Sequence, residues 1–221
     1  MKARALVVAK APVPGLAKTR LGAHLGDDVA ADLAAAALLD TLAACAAAFG
    51  DRCHLALAGD LTDAARAPEI RWALRSWHVF EQDGTALGDR LAHAHMSVAA
   101  ESSAAVVQIG MDTPQVTPAL LSAAAARLHR GGGVLGPAHD GGWWLLALDD
   151  PTAARVLSGV PMSTARTGLD TRRALADWGI RVETAAVLRD VDTVPDAAEV
   201  AQEAPHTRFA EAWSRLQVGV A

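Results

Sequence analysis

Cysteine is scarce in this chain, and its scarcity limits the kinds of site that the protein can build. The sequence contains only two, Cys45 and Cys53. Two cysteines cannot supply a disulfide framework, and by themselves they cannot close a tetrahedral zinc site. Both stand among apolar neighbours, so we expect small core residues in a reducing compartment.

Positive charge is also in short supply. The chain carries 20 Lys and Arg residues against 25 Asp and Glu residues, which gives a formal net charge of −5. Proteins that bind nucleic acids usually show a basic balance with clustered Lys and Arg. We therefore expect no nucleic-acid partner, although a small basic pocket is compatible with an acidic chain.

Long hydrophobic runs are missing as well. The first apolar run, at 5–9, is too short for the core of a signal peptide. An Ala-rich stretch at 30–48 is interrupted by Asp32 and Asp40. No uninterrupted apolar span approaches the ~20 residues that a membrane helix requires. These observations predict a cytoplasmic protein without a membrane span.

Short apolar runs alternate with segments of helical spacing along the whole chain. Runs typical of strands lie at 3–9, 53–58, 77–80, 105–109, 134–137, 143–148 and 180–187. Segments typical of helices lie at 27–49, 87–100, 117–130 and 163–178, with two more near the end of the chain. The remaining stretches 10–21 and 62–76 are predicted as a loop and as short helix with loop. This alternation predicts a three-layer α/β/α sandwich with a mostly parallel mixed sheet, built by residues 1–221 as one domain.

Asp112 follows directly on the predicted strand at 105–109, within Gly-Met-Asp-Thr-Pro at 110–114. In open α/β sheets, ligands bind at the carboxyl ends of the strands. Asp112 is therefore a candidate ligand-binding carboxylate. Taken alone, it is explained equally well as a turn residue whose side chain accepts hydrogen bonds from backbone amides.

A cationic loop follows the first predicted strand and carries Lys10, Lys18 and Arg20. Three cations within eleven residues, on a loop that leads to a helix, suit the charge of a diphosphate or triphosphate. The alternative is a solvated loop whose cations serve solubility. Two prolines and Gly15 favour a loop of defined shape.

Further polar residues follow later strands. Asp190 and Asp192 stand after the last predicted strand, and carboxylates that converge with Asp112 at one edge would suit Mg²⁺ or Mn²⁺ bound to phosphate oxygens. Each could separately form a turn. A Gly-rich segment precedes Trp143 and Trp144. Successive strand side chains point to opposite faces, so we expect one Trp in the core and one facing a pocket.

Several better-known motifs are incomplete. The stretch 15–19 lacks the first glycine of a P-loop, and the chain has no G-x-S-x-G nucleophile elbow. His93 and His95 are two residues apart on a predicted helix, so their side chains diverge. We interpret them as surface or core residues rather than metal ligands.

In series, the remaining motifs resemble the glycosyltransferase-A-type nucleotide-diphospho-sugar transferase superfamily, and within it a bacterial family of glycosyltransferases of unassigned function. The resemblance covers nearly the whole chain. It rests on K-A-P-V-P-G-L-A-K-T-R-L at 10–21, Q-x-G-x-x-L-G-x-R at 82–90, G-x-D-x-P at 110–114, G-P-A-x-D-G-G at 136–142, S-T at 163–164 and D-x-D-T-x-x-D at 190–196.

The resemblance implies a Rossmann-like fold and a role for each matching position. The residues that it assigns to the nucleotide are Lys10, Gly15, Lys18, Arg20, Gln82 and Gly110. Those assigned to the acceptor or sugar are Asp140, Gly141, Gly142, Trp143, Ser163 and Thr164. Asp112 and Asp192 would hold Mg²⁺ or Mn²⁺, with Asp190 as the alternative second ligand, and Lys18, Arg20 and Asp112 would be catalytic.

The same superfamily includes guanylyltransferases of molybdenum cofactor and of 2-phospholactate, and A-K-T-R-L at 17–21 is similar to the phosphate loop of the latter. The resemblance therefore implies a metal-dependent transferase that moves a nucleotidyl or glycosyl group from a nucleotide donor to a small-molecule acceptor. The alternative is a non-catalytic nucleotide-binding module on this fold. Trp143 stands where this group usually has Tyr, and Met162 stands where we expect a Trp. These differences leave the identity of the acceptor open. The oligomeric state is open as well.

Overall fold

The computed structural model describes residues 3–218, and in this part of the chain seven strands form one mixed sheet. The strands are β1 Arg4–Lys10, β2 Cys53–Ala58, β3 His78–Glu81, β4 Val106–Ile109, β5 Gly132–Pro137, β6 Trp143–Leu148 and β7 Arg181–Thr184. Their order across the sheet is β3-β2-β1-β4-β6-β5-β7. Only β6 runs antiparallel to its two neighbours, and the other pairings are parallel. The predicted fold class is confirmed.

Helices cover both faces of the sheet. They are α1 Thr19–Leu25, α2 Asp27–Phe49, α3 Ala67–Ala73, α4 Leu87–Glu101, α5 Pro118–Ala126, α6 Thr167–Asp177, α7 Val194–Glu203 and α8 Arg208–Val218, with short 3-10 helices at Leu74–Ser76 and Pro151–Gly159. Alternate side chains of β1 explain the layering. Val7 packs in the cluster that contains Leu38 of α2, whereas Leu6 packs with Val98 of α4 on the other face.

α2 is the longest helix and forms the centre of one face. Among residues 3–218 it is the one helix long and apolar enough to cross a bilayer, but 78% of its most apolar 18-residue window is buried inside the protein. Two of its aspartates are paired with other elements. Asp40 accepts hydrogen bonds from the backbone N–H groups of Arg208 (3.0 Å) and Phe209 (2.9 Å), and Asp32 accepts two from Arg66. The aspartates thus attach α2 to α8 and to the start of α3.

The predicted elements agree with the structure except at several boundaries. α1 begins inside the segment 10–21 that was predicted as a loop and continues to Leu25. Seven residues after a left-handed Lys18 (φ 49°) give a helical pattern too short to predict. The helix predicted from 163 or 164 begins only at Thr167, because Ser163 is left-handed (φ 59°). α5 ends at Ala126 instead of near 130, and β7 ends at Thr184 instead of 187. Thr117 caps α5 as predicted, accepting from the Leu120 N–H at 3.2 Å.

Both cysteines are buried and free, as expected. Burial raises the pKa of the Cys53 thiol to about 12, so this thiol stays protonated at neutral pH. His93 and His95 are a surface residue and a core residue, as the sequence indicated. His93 is exposed, whereas His95 is buried and forms a 2.9 Å hydrogen bond between its Nε2 and Oε1 of Gln108.

The buried His95 makes the stability of the fold depend on pH. Burial lowers its pKa to about 4, and the bond with Gln108 opposes that shift only in part. Unfolding restores a pKa of about 6.5, so between these values the unfolded state binds the extra proton and stability falls as pH falls. Because of His95, we expect the unfolding free energy to fall by about 2 kcal/mol when the pH is lowered from about 7.5 to 5.

Urea unfolding of the wild type and of His95→Gln at the two pH values tests this expectation. The amide of the variant still reaches Gln108 but does not titrate, so its pH slope should be smaller by that amount. Equal slopes in the two proteins would contradict the assignment.

Candidate active site at the carboxyl edge of the sheet

Three loops meet at the carboxyl ends of the central strands. The loop after β1 carries Lys18, the turn after β4 carries Asp112, and the segment after β7 carries Asp192. The backbone N–H of Val191 donates to the carbonyl of Asp112 at 2.9 Å, which joins the second and third of these loops. The parallel sheet thereby brings together residues that are distant in sequence.

Lys18 lies between the two aspartates that were predicted to bind metal. Its Nζ is 2.9 Å from Oδ1 of Asp112 and 2.9 Å from Oδ1 of Asp192. Arg20 makes a longer contact, with Nη1 3.4 Å from Oδ2 of Asp192, and its side chain is 78% exposed. Both carboxylates therefore already share one buried cation.

The charge balance around Lys18 is negative. Burial by itself would lower the Lys18 pKa, but the carboxylates of Asp112 and Asp192 outweigh it and the pKa is raised, so the ammonium stays protonated. Nearby, burial raises the pKa of Asp190 to about 7, with the negative charges of Asp112 and then Asp140 adding to the effect and Lys18 opposing it. Four carboxyl groups thus lie close together here, with Lys18 on two of them and Arg20 also on Asp192.

This donor set fits a divalent cation. Carboxylate oxygens are the ligands that Mg²⁺ and Mn²⁺ prefer, and added positive charge would relieve the repulsion that raises the Asp190 pKa. In this structure the Lys18 ammonium neutralises both Asp112 and Asp192, at 2.9 Å from each. Asp112 and Asp192 would hold such an ion, and the Lys18 ammonium would then leave them.

A cavity of about 530 Å³, here called the cation cavity, opens over these groups. Its lining combines the cationic loop with the aspartates and the 163–164 segment. The predicted site residues in its wall are Lys10, Lys18, Arg20, Asp112, Asp140, Ser163, Thr164 and Asp192. Eight predicted residues from five separate segments therefore share one cavity.

A second cavity of about 440 Å³, here called the tryptophan cavity, adjoins the first. The predicted residues that line both are Lys10, Asp112, Asp140, Ser163 and Thr164. The predicted residues that only this cavity contacts are Gln82, Gly110, Gly142 and Trp143. Trp144 is buried in the core with its Nε1 donating to the carbonyl of Ala186 (2.8 Å), whereas the half-buried Trp143 reaches the cavity. The predicted division of the two tryptophans is thus confirmed.

Some predicted site residues shape the backbone around the cavities. Gly15 and Gly141 line neither cavity; both adopt positive φ, 74° and 89°, and shape the turns beside it. Gln82 lines the tryptophan cavity, but its Nε2 donates to the carbonyls of Ala9 (2.8 Å) and Ala56 (3.0 Å). That amide nitrogen holds the ends of β1 and β2 together, and Oε1 is the atom left for a ligand.

The structure adds two residues to the predicted set. Asp190, predicted only as an alternative to Asp192, lines the tryptophan cavity, whereas Asp192 lines the cation cavity. Arg90, at the start of α4, also lines the tryptophan cavity and donates from Nε to the carbonyl of Gly84 at 3.2 Å. Its only sequence signal was its place as the last residue of the 82–90 motif.

Gly141 provides a stability test of the loop that carries Asp140. A Cβ at this position would overlap the carbonyl oxygen of Ala165, and the φ of 89° is strained for any L side chain. We expect Gly141→Ala to lower the unfolding free energy by about 2 kcal/mol or more. Gly159→Ala is the control, because its Cβ would meet no atom within 4 Å. Urea denaturation that gives equal losses for the two variants would contradict the described loop conformation.

Solved structures with this fold include nucleotide-handling transferases. A "putative nucleotide-diphospho-sugar transferase" from Desulfovibrio desulfuricans G20 superposes with a TM-score of 0.87 at 25% identity, covering 98% of this chain and 96% of that chain. A cytidylyltransferase from Leptospira borgpetersenii serovar Hardjo-bovis superposes with a TM-score of 0.59 at 12% identity, covering 99% and 95%. Rv0371c from Mycobacterium tuberculosis H37Rv, in complex with manganese, gives 0.52 at 21% identity, covering 90% and 98%.

The first likeness supports a nucleotide-related transferase, and the two others show the shared fold alone. No curated protein matches the sequence. A family model described as "Uncharacterized protein conserved in bacteria (DUF2064)" matches residues 41–164, which is more than half of the 221 residues. The chain belongs to this DUF2064 family.

Proposed function

We propose that the protein is a metal-dependent transferase that uses a nucleotide donor, either an NTP or an NDP-sugar, and a small-molecule acceptor. The observation that carries the proposal is the Lys18 ammonium, held 2.9 Å from both Asp112 and Asp192 at the carboxyl edge of the sheet. A site that assembles carboxylates and cations around one cavity suits a metal-bound diphosphate, whose charge needs both.

The cationic loop would bind the donor phosphates. Lys10, Lys18 and Arg20 line one cavity, and their positive charges would stabilise the negative charge that develops on the leaving pyrophosphate or nucleoside diphosphate. Asp112 and Asp192 would hold Mg²⁺ or Mn²⁺. When bound, that ion would neutralise phosphate oxygens and align the donor for attack.

Lys18 would exchange partners when the donor binds. In the described state its ammonium neutralises Asp112 and Asp192. A divalent cation on these carboxylates would release the ammonium, and the donor phosphates are the anions next in reach. Binding of metal and nucleotide would therefore be coupled, since each favours the same movement of Lys18.

The tryptophan cavity would hold the rest of the substrates. Gln82 and Gly110 would contact the nucleotide there, while Gly142 and Trp143 would contact the acceptor or sugar. Asp140, Ser163 and Thr164 line both cavities, so they would stand where donor and acceptor meet. Gly141 would act through the turn that positions Asp140, and Gly15 through the shape of the cationic loop.

The product decides between the two forms of the proposal. The protein is incubated with NTPs and with NDP-sugars, Mg²⁺ or Mn²⁺ and a panel of small phosphorylated and hydroxylated acceptors. Pyrophosphate release would identify nucleotidyl transfer, and release of a nucleoside diphosphate would identify glycosyl transfer. Tight nucleotide binding without either product across the panel would instead favour a non-catalytic nucleotide-binding module.

A further inference from the structure

A second cluster of metal-ligand side chains lies away from the candidate active site. It consists of His54 near the start of β2, His78 at the start of β3 and Glu101 at the end of α4. His54 and His78 are partners in the parallel register of β2 and β3. Both stand near the amino ends of their strands, whereas the cation cavity opens at the carboxyl ends.

The three side chains converge on one point. Nε2 of His54 is 3.0 Å from Oε2 of Glu101, and Nδ1 of His78 is 3.8 Å from the same oxygen. The potential ligand atoms all lie within 4.8 Å of one another, and within residues 3–218 no other set of three His, Cys, Asp or Glu residues does so. The imidazole rings are stacked, with centroids 5.0 Å apart and planes 20° apart, so both present an edge nitrogen to Glu101.

His54 is a buried histidine whose one side-chain hydrogen bond lies at the protein surface. Its side chain is fully buried, its Nδ1 has no hydrogen-bond partner, and its Nε2 contacts only the surface residue Glu101. A bond from Nε2 to a metal ion would fix the tautomer of the neutral imidazole, with the ring proton on Nδ1.

Two imidazoles and one carboxylate form a ligand set that suits Zn²⁺, which takes three protein ligands with a water molecule in the fourth position. Zinc ligand bonds of about 2.0–2.2 Å require the three atoms to move closer together. His78 and Glu101 are 58% and 43% exposed, so their side chains are free to move toward the fixed His54.

We propose that His54, His78 and Glu101 form a binding site for a divalent transition metal, with Zn²⁺ as the ion that their chemistry fits. The metal would join the edge strand β3 to β2 and to the end of α4. β3 needs such support, because it pairs only with β2 and Val79 is 47% exposed. The chain continues from β3 into Gln82 and Arg90, so the same metal would also fix one wall of the tryptophan cavity.

The site is tested with full-length protein titrated with Zn²⁺ by calorimetry and with Co²⁺ by visible absorption. Each titration uses the wild type and Asp112→Asn/Asp192→Asn, which removes the carboxylates proposed for the active-site metal. We expect the binding of one Zn²⁺ per chain to persist in the double variant. The Co²⁺ complex should show absorption bands typical of nitrogen ligands. In the double variant, Zn²⁺ should also raise the melting temperature.

His78→Ala and Glu101→Gln, made in that double variant, change exposed side chains and should each weaken Zn²⁺ binding by at least about tenfold. His93→Ala is the matched control, because His93 is an exposed histidine of α4 near a different carboxylate, that of Asp83. Zinc binding that is absent from the folded double variant, or equally tight in His78→Ala, Glu101→Gln and His93→Ala, would overturn the proposal. Neither result bears on transferase activity, which is measured separately.

Discussion

Asp112→Asn is expected to lower metal-dependent turnover by about 100-fold or more while the protein stays folded. The amide keeps the shape of the side chain, but it removes the negative charge that would hold the metal and that now pairs with Lys18 at 2.9 Å. Asp112 is 39% exposed and lies in a turn after β4, so the fold should tolerate the change. Initial rates, measured with the donor that the product assay identifies, give the turnover. Circular dichroism shows whether the variant is folded.

The control for this variant is Asp177→Asn, which makes the same chemical change at the exposed end of α6. Its turnover should match that of the wild type. Full activity in Asp112→Asn would remove Asp112 from the proposed site, and loss of the fold would leave the turnover comparison to the paired variant Asp192→Asn.

Lys18→Met is expected to have two opposite effects. Turnover should fall by about 100-fold or more, because the donor phosphates lose their most buried cation. Binding of Mn²⁺ without nucleotide should become tighter, by about tenfold, because Asp112 and Asp192 are left without the ammonium that neutralises them. A purely structural lysine would give destabilisation and no gain in metal affinity.

Manganese titrations followed by electron paramagnetic resonance measure that affinity, and thermal unfolding measures the destabilisation. The uncompensated carboxylates should make Lys18→Met less stable than the wild type and more strongly stabilised by added Mn²⁺. Lys10→Met is the matched control, because Lys10 lines the same cavity but makes no ion pair within the described residues. If Lys18→Met binds Mn²⁺ no more tightly than Lys10→Met does, the proposed exchange of partners by Lys18 is contradicted.

The sequence predicted those parts of the site that local patterns determine. Asp112 was identified because it follows a buried run, and the alternation of Trp143 and Trp144 across a strand follows from the geometry of the backbone. The start of α2 at Asp27 and its end before Gly50 also follow from local signals, since acidic residues favour a first turn and glycine favours a termination.

The remaining features depend on contacts between distant segments. Lys18 was predicted to bind phosphate, but nothing in its neighbourhood indicated that it would lie between Asp112 and Asp192. The second metal-ligand cluster follows only from the register of β2 and β3 and from the point where α4 ends, so His54 and His78 carried no motif. Arg90 reaches the tryptophan cavity from a helix start, which the strand-end rule does not predict.

The central claim is that the cation cavity binds a divalent ion and nucleotide phosphates together. It is tested most directly by titrating Mn²⁺ into the wild type and Asp112→Asn, with and without an NTP, and following free Mn²⁺ by electron paramagnetic resonance. Calorimetric titration of the protein with the same NTP, with and without a chelator, measures the affinity for the nucleotide. We expect the nucleotide to tighten Mn²⁺ binding in the wild type and Asp112→Asn to lose this coupling. Nucleotide binding that is equally tight in the presence of chelator, or coupling that is unchanged in Asp112→Asn, would contradict it.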